Sequence, residues 1–220
     1  MPDAVVGKNL LMEEKGPTMA DHIYTTFDKM LGRSDKEELL KQTGIVVWMY
    51  GLSGSGKSTI ANGLERILNA KGILTQVLDG DNIRSGLNTD LGFTDGDRSE
   101  NIRRIAEVAK LFLNLGVVTL VSFITPRRDF RAKAREIIGE DDFLEVFVKA
   151  PFEVCAERDP KGLYSKVNAG EVANFTGKTS RFEEPEPSDP VFVLDTEQLS
   201  IKDGVDALFN ELKTRIESQR

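Results

Sequence analysis

Gly51-Leu52-Ser53-Gly54-Ser55-Gly56-Lys57-Ser58 satisfies the phosphate-loop pattern G-x-x-x-x-G-K-[ST] at every fixed position. Ahead of it runs Ile45-Val46-Val47-Trp48-Met49-Tyr50, apolar and β-branched in the manner of a buried strand. Behind it, Thr59 to Ala70 reads as a helix with Ile60, Leu64, Ile67 and Leu68 on one face. Strand, Gly-rich turn and helix in that order are the context the pattern needs. Glycines let successive backbone N–H groups converge on phosphate oxygens, and the helix start adds its positive dipole end. Lys57 is then placed to reach the β- and γ-phosphates, and the Ser58 hydroxyl to ligate Mg²⁺. A Gly-rich turn with no ligand is the plainer alternative, but there Lys57 and Ser58 would have no packing purpose. The stretch predicts a nucleoside triphosphate site built from Gly51, Leu52, Ser53, Gly54, Ser55, Gly56, Lys57, Ser58 and Thr59.

Composition narrows the remaining choices. A chain of 220 residues, 40% hydrophobic, can bury one sizeable core. A formal net charge of −7 argues against a nucleic-acid binder, which needs a basic face. The apolar runs fall short of the roughly 20 residues that span a bilayer, and the N-terminus lacks a signal-peptide core, so no membrane association and a cytoplasmic location are expected. The single cysteine, Cys155, excludes an internal disulfide and reads as a small buried hydrophobe. The single histidine, His22, sits in a polar segment. Any proton abstraction therefore falls to a carboxylate.

Residues 1–20 carry little periodicity and Ile23 to Leu31 only a weak helical one, so residues 1–33 are expected to be an N-terminal extension to a domain over 34–220. Ser34-Asp35-Lys36-Glu37 reads as a capping box opening a short helix. Further strands are expected at Leu74–Leu78, Val117–Phe123, Phe143–Val148 and Val191–Leu194. Helices are expected from Asp97 to Gly116, Arg127 to Ile138, Pro151 to Arg158 and Ile201 to Ile216. Asp159 to Pro190, polar and rich in Gly, Lys, Glu and Pro, reads as a mobile lid. Strands alternating with helices predict an α/β fold: a three-layer α/β/α P-loop kinase domain with a central parallel five-stranded sheet.

Ligands of such sheets bind beyond the carboxyl ends of the strands, which places Asp79 and Asp81 beside the phosphate loop. Val117-Val118-Thr119-Leu120-Val121-Ser122 ends without the aspartate that many P-loop enzymes direct at the metal, leaving Asp79 and Asp81 to supply that chemistry. Arg84, Arg98, Asn101 and Arg104 follow, with Arg98 and Asn101 one helical turn apart. A charged helix face is ordinarily just solvated surface. Phe93 is either a core anchor or an aromatic platform for a base, and the sequence does not separate the two.

Several stretches then agree in order and spacing with one family. They are Gly51 to Thr59, Asp79-Gly80-Asp81-Asn82-Ile83-Arg84, Leu91-Gly92-Phe93, Asp97 to Arg104, Asp159-Pro160-Lys161-Gly162-Leu163-Tyr164 and Phe175-Thr176-Gly177. From about Ser34 onward the chain resembles the adenylyl-sulfate kinases. The resemblance implies transfer of the γ-phosphoryl of ATP to the 3′-hydroxyl of adenylyl sulfate, giving ADP and 3′-phosphoadenylyl sulfate (PAPS) in sulfate assimilation, with ATP and Mg²⁺ required. It also implies that Asp79, Asp81, Arg84, Phe93, Arg98, Asn101, Ile124, Lys161 and Phe175 surround adenylyl sulfate, and it suggests a homodimer. In that setting Lys57, Asp81 and Asp79 are the expected catalytic residues. Asp81 is the base for the ribose hydroxyl, and Phe93 and Phe175 clasp the adenine.

The chain departs from the family pattern at Thr125-Pro126, where Ser-Pro is usual, and across Lys178 to Glu183, where Phe182 stands for the usual Tyr. Direct transfer is expected, with Thr125 a hydrogen-bonding wall of the pocket. The chain is too short to include a sulfurylase, so adenylyl sulfate is expected from a separate ATP sulfurylase. Two other readings stay open: a P-loop kinase for another small acceptor, and a nucleotide-binding regulatory module without catalysis.

Overall fold

The computed structural model of the protein describes Tyr24, Thr26, residues 29–168, Gly170 and residues 175–216. Most of the expected N-terminal extension, and with it most of the weak pattern over Ile23 to Leu31, lies outside the described residues. The chain divides into a first unit, Met1–Leu31, and a second, Gly32–Arg220. In the first, the Lys29 N–H donates to the Thr26 carbonyl at 3.0 Å. The second unit holds the whole sheet.

Its elements in chain order are α1 (Arg33–Leu40), β1 (Ile45–Tyr50), α2 (Lys57–Ala70), β2 (Thr75–Asp79), α3 (Gly80–Arg84), α4 (Asp95–Leu113), β3 (Val118–Ser122), α5 (Arg128–Ile138), β4 (Phe143–Lys149), α6 (Phe152–Arg158), α7 (Leu163–Asn168), β5 (Phe192–Asp195) and α8 (Ile201–Ile216). The five strands form one sheet in the order β2-β3-β1-β4-β5, and every pairing is parallel. This is the expected three-layer α/β/α domain.

The pleat of β1 sorts the core. Ile45, Val47 and Met49 pack with α2 and α8 through Ile60, Leu64, Leu68, Val205, Leu208 and Leu212. Val46 and Trp48 face the other way, onto Ile102, Ile105, Ala109, Phe130 and Ala134 of α4 and α5. All six β1 residues are buried, which accounts for a run of apolar residues with no polar alternation.

Helix starts differ from the sequence expectation where local caps choose them. Helix α1 opens at Gly32, whose N–H donates to the Asp35 carboxylate at 2.9 Å, and not at Ser34. Glu37, expected to close a capping box, instead accepts from Gly44 N–H at 2.8 Å and from Arg33 Nε at 2.7 Å. Helix α4 begins two residues early. Thr94 is its N-cap, accepting from Asp97 N–H at 3.2 Å while Asp97 accepts from Thr94 N–H at 3.1 Å, a reciprocal box. Asp79 caps the five-residue helix α3 that follows β2.

The polar excursion 159–190 also has a core of its own. Tyr164, Val167 and Phe175 are buried with Ala150 and Cys155, and Tyr164 meets the Phe175 ring edge-on at 4.9 Å. The Tyr164 hydroxyl donates to the Ser53 carbonyl at 2.7 Å, tying this cluster to the phosphate loop. At its far end Glu183 N–H donates to the Pro126 carbonyl at 2.8 Å. Phe182 stacks near Tyr50 and Phe147, with centroids 6.4 and 5.9 Å away. Among the described residues no helix is long and apolar enough to cross a membrane.

Candidate active site

The phosphate loop leaves β1 through backbone that only glycine tolerates. Gly51 has φ 153°, and a Cβ there would lie 2.3 Å from the Val148 carbonyl oxygen. Gly56, at φ 99°, turns the chain into α2. Lys57 opens that helix, buried, and its ammonium donates to the Leu52 and Gly51 carbonyls at 2.7 and 3.0 Å. Burial pushes its pKa down to about 8.

A polyanion arriving at the loop favours the charged form of Lys57 and raises that pKa again. Triphosphate binding at about pH 9, above the free-site pKa, is therefore expected to take up a proton at Lys57. At about pH 7 that uptake should fade, because the ammonium is already charged. Binding heats measured in buffers of different ionisation enthalpy report the proton count. No uptake at the higher pH would show that Lys57 does not meet the phosphates.

Beside Lys57 lies a group of hard oxygens. Ser58 Oγ donates to Asp79 Oδ2 at 2.6 Å and lies 3.2 Å from Ser122 Oγ, while Asp79 Oδ1 accepts from Asp81 N–H at 3.1 Å. Asp79 thus both caps α3 and turns a carboxylate oxygen to the Ser58 hydroxyl. Neutral and anionic oxygens at this spacing suit Mg²⁺, which keeps waters and takes one or two carboxylates with substrate phosphates. Ser122, at the end of β3, joins Ser58 only because β1 and β3 pair; the sequence offered no sign of it. Across the cavity Asp81 is ion-paired with Lys161.

These groups line one cavity of about 880 Å³. Asp79, Asp81, Arg84, Phe93, Arg98, Asn101, Ile124, Lys161 and Phe175, the nine expected acceptor residues, all border it. From the phosphate loop Ser53, Gly54, Gly56, Lys57, Ser58 and Thr59 also border it, while Gly51, Leu52 and Ser55 sit behind. Phe93 is 61% exposed, which decides against a core anchor. The Arg84 guanidinium lies 4.5 Å over its ring and donates to the Gly92 carbonyl at 3.0 Å. Arg98 donates to the Phe93 carbonyl at 3.1 Å and to Thr176 Oγ1 at 2.7 Å, so the rim loop and the excursion are joined through it. Phe175 differs from Phe93: it is buried against Tyr164 and touches the cavity from a packed position.

Thr125 is buried with φ 38°, a left-handed conformation that costs a β-branched residue. Two hydrogen bonds hold it there. Trp48 Nε1 donates to its hydroxyl at 3.1 Å, and Arg131 Nη1 donates to its carbonyl at 3.1 Å. Another end of the cavity also escaped the sequence. Arg158 donates to the Thr196 carbonyl at 2.7 Å, and Thr196 Oγ1 donates to the Ser55 carbonyl at 2.8 Å. Leu199 and Ile201 complete that end. No motif marks these residues, because β5 and its following turn reach the phosphate loop only in the folded chain.

Comparison with known proteins follows the same lines. Residues 43–194 match the family model described as adenylylsulphate kinase. The chain is 54% identical over 208 residues to an adenylyl-sulfate kinase of Bacteroides thetaiotaomicron, covering 94% of this chain and all of that protein. It is 58% identical over 156 residues to the bifunctional enzyme NodQ of Rhizobium meliloti, covering 71% of this chain and 24% of that protein. Among solved structures it is similar to the Mycobacterium tuberculosis APS kinase CysC in complex with AMPPNP and APS. That likeness has a TM-score of 0.74 and 45% identity, over 78% of this chain and 98% of the other.

Proposed function

The chain belongs to the adenylylsulphate kinase family, and from that premise we propose how its residues divide the work of the reaction. The activity is ATP-dependent phosphorylation of adenylyl sulfate at the ribose 3′-hydroxyl, yielding ADP and PAPS, and ATP is used with Mg²⁺. The observation that carries the assignment is the pairing, across one cavity, of the Ser58–Asp79 oxygen group with the Asp81–Lys161 ion pair.

In this reading the phosphate loop and Lys57 hold the triphosphate, and Ser58 with Asp79 would hold Mg²⁺. When bound, Mg²⁺ supplies charge neutralisation on the phosphates. Arg84 and Arg98 hold the phosphosulfate, since guanidinium groups suit oxyanions. Phe93 stacks on the adenine from the rim, and Asn101, Ile124 and Phe175 shape the pocket beneath it. Asp81 accepts the proton of the 3′-hydroxyl as that oxygen bonds to the γ-phosphorus. The bond from the γ-phosphorus to the bridging oxygen breaks, and ADP leaves. Lys161, released from Asp81 as the proton arrives there, turns to the transferred phosphoryl group. Thr125, held by Trp48 and Arg131, is a wall and carries no phosphate.

A homodimer, a cytoplasmic location and a supply of adenylyl sulfate from a separate ATP sulfurylase complete the proposal. So does the division of the chain into an extension, 1–33, and a kinase domain, 34–220, with a lid at about 159–190. That the chain matches a quarter of a bifunctional protein's length supports coupling between this activity and a neighbouring one. The test is ADP release with adenylyl sulfate, AMP, adenosine and gluconate as competing acceptors. Adenylyl sulfate alone should turn over efficiently, because only it meets Phe93, Arg84 and Arg98 together. Comparable rates with AMP or gluconate would reject the assignment.

A further inference from the structure

Asn88 lies in the loop between α3 and α4, yet it is fully buried. We propose that Asn88 is a positioning residue: it makes Asn101 present its amide N–H groups, and not its carbonyl, to the acceptor side of the cavity. This rests on the reading of the cavity given above.

The polarity is set one residue further out. Arg104 carries donors only. It is held by Asp90, at 2.7 and 2.9 Å, and by Glu100 at 2.9 Å. Its Nη1 reaches Asn88 Oδ1 at 3.5 Å. Turning the Asn88 amide over would set its NH₂ against guanidinium N–H groups, donor against donor. Asn88 therefore keeps its oxygen toward Arg104 and its nitrogen toward Asn101, where Nδ2 donates to Oδ1 at 2.8 Å. That bond uses the Asn101 oxygen. The Asn101 side chain borders the cavity, and its amide nitrogen has no partner among the described residues.

Guanidinium, amide and amide thus form a relay of one direction that ends in a donor aimed at the ligand. The matching ligand atom is an acceptor, such as a phosphosulfate oxygen or a ring nitrogen. A relay run backwards would present a carbonyl to the same atom, lone pair against lone pair. A site built to hydrogen-bond a given group discriminates strongly against a mismatch, because the buried partner is left unpaired.

Asn88→Asp is the decisive variant. Its carboxylate can only accept, from Arg104 on one side and from Asn101 on the other, so the Asn101 amide must turn over. The fold should hold, because the new charge lies beside Arg104. KM for adenylyl sulfate is expected to rise by about tenfold or more, with KM for ATP within about twofold and kcat within about threefold of wild type. A second pair isolates the source of the polarity. Arg104→Lys keeps a donor and should leave KM for adenylyl sulfate within about threefold, whereas Arg104→Met should raise it beyond that. A folded Asn88→Asp protein with unchanged KM would overturn the proposal. If that variant does not fold, equal KM values for Arg104→Lys and Arg104→Met would overturn it instead. Failure of the wild type to phosphorylate adenylyl sulfate would count against the functional reading itself, separately from the relay.

Discussion

Asp81→Asn is expected to lower kcat by about 10²–10⁴-fold while nucleotide affinity stays near wild type, the usual worth of a positioned general base. The ribose hydroxyl is a poor nucleophile until its proton has somewhere to go, and the amide cannot accept it as a carboxylate does. Among the described residues no histidine borders the cavity, and the carboxylates that do are Asp79 and Asp81. Asp79 does not replace Asp81, because its two oxygens are engaged by Ser58 and by the Asp81 N–H. Substitution should spare the triphosphate, since the Lys57 ammonium is held by the Gly51 and Leu52 carbonyls. It also frees Lys161 from its ion pair, so KM for adenylyl sulfate should move far less than kcat. Single-turnover rates alongside nucleotide titrations measure both effects. Turnover within about threefold of wild type would remove Asp81 from the mechanism.

The second large effect is on stability. Arg131 and Glu145 are both buried, 3.3 Å apart, and Arg135 also reaches Glu145. The Arg131 guanidinium stacks 4.3 Å over the Tyr50 ring and donates to two carbonyls, those of Thr125 and Glu183. Arg131→Met leaves Glu145 with Arg135 alone and orphans both carbonyls. A destabilisation of about 3–5 kcal/mol follows from stranding part of a buried charge network. Arg131→Met combined with Glu145→Leu should recover much of that loss, because no buried carboxylate is left to satisfy. Chemical denaturation of both variants decides it. A single variant within about 1 kcal/mol of wild type would mean the pair is solvated in solution. The double variant should still turn over slowly, because Arg131 holds the strained Thr125 backbone and the far end of the 159–190 excursion together.

How much of this was legible in sequence depended on how far apart the interacting residues lie. The phosphate loop, the strand before it and the helix after it are consecutive. Their meaning rests on φ preferences, a buried apolar run and a 3.6-residue stripe, all of which a linear reading contains. The pair Asp79 and Asp81 could be placed because they follow a strand, and strand ends in a parallel sheet point to one edge. Helix starts were off by one or two residues where short-range hydrogen bonds chose between neighbouring caps, as Thr94 did for α4 and Gly32 for α1.

The tertiary structure decided the rest. Phe93 could be core or platform until its exposure was known, because a phenylalanine in a glycine loop packs or not according to what folds over it. Ser122 meets Ser58 across 64 residues, Thr196 meets Ser55 across 141, and Arg131 meets Glu183 across 52. Asn88 reads as an ordinary loop asparagine, yet α4 buries it and thereby fixes the direction of the Asn101 amide. The polar excursion gained a small core only by lending Tyr164 and Phe175 to Ala150 and Cys155. Local propensity carries the element and the motif. Desolvation, and the hydrogen-bond direction it enforces, exist only once distant segments close over a side chain.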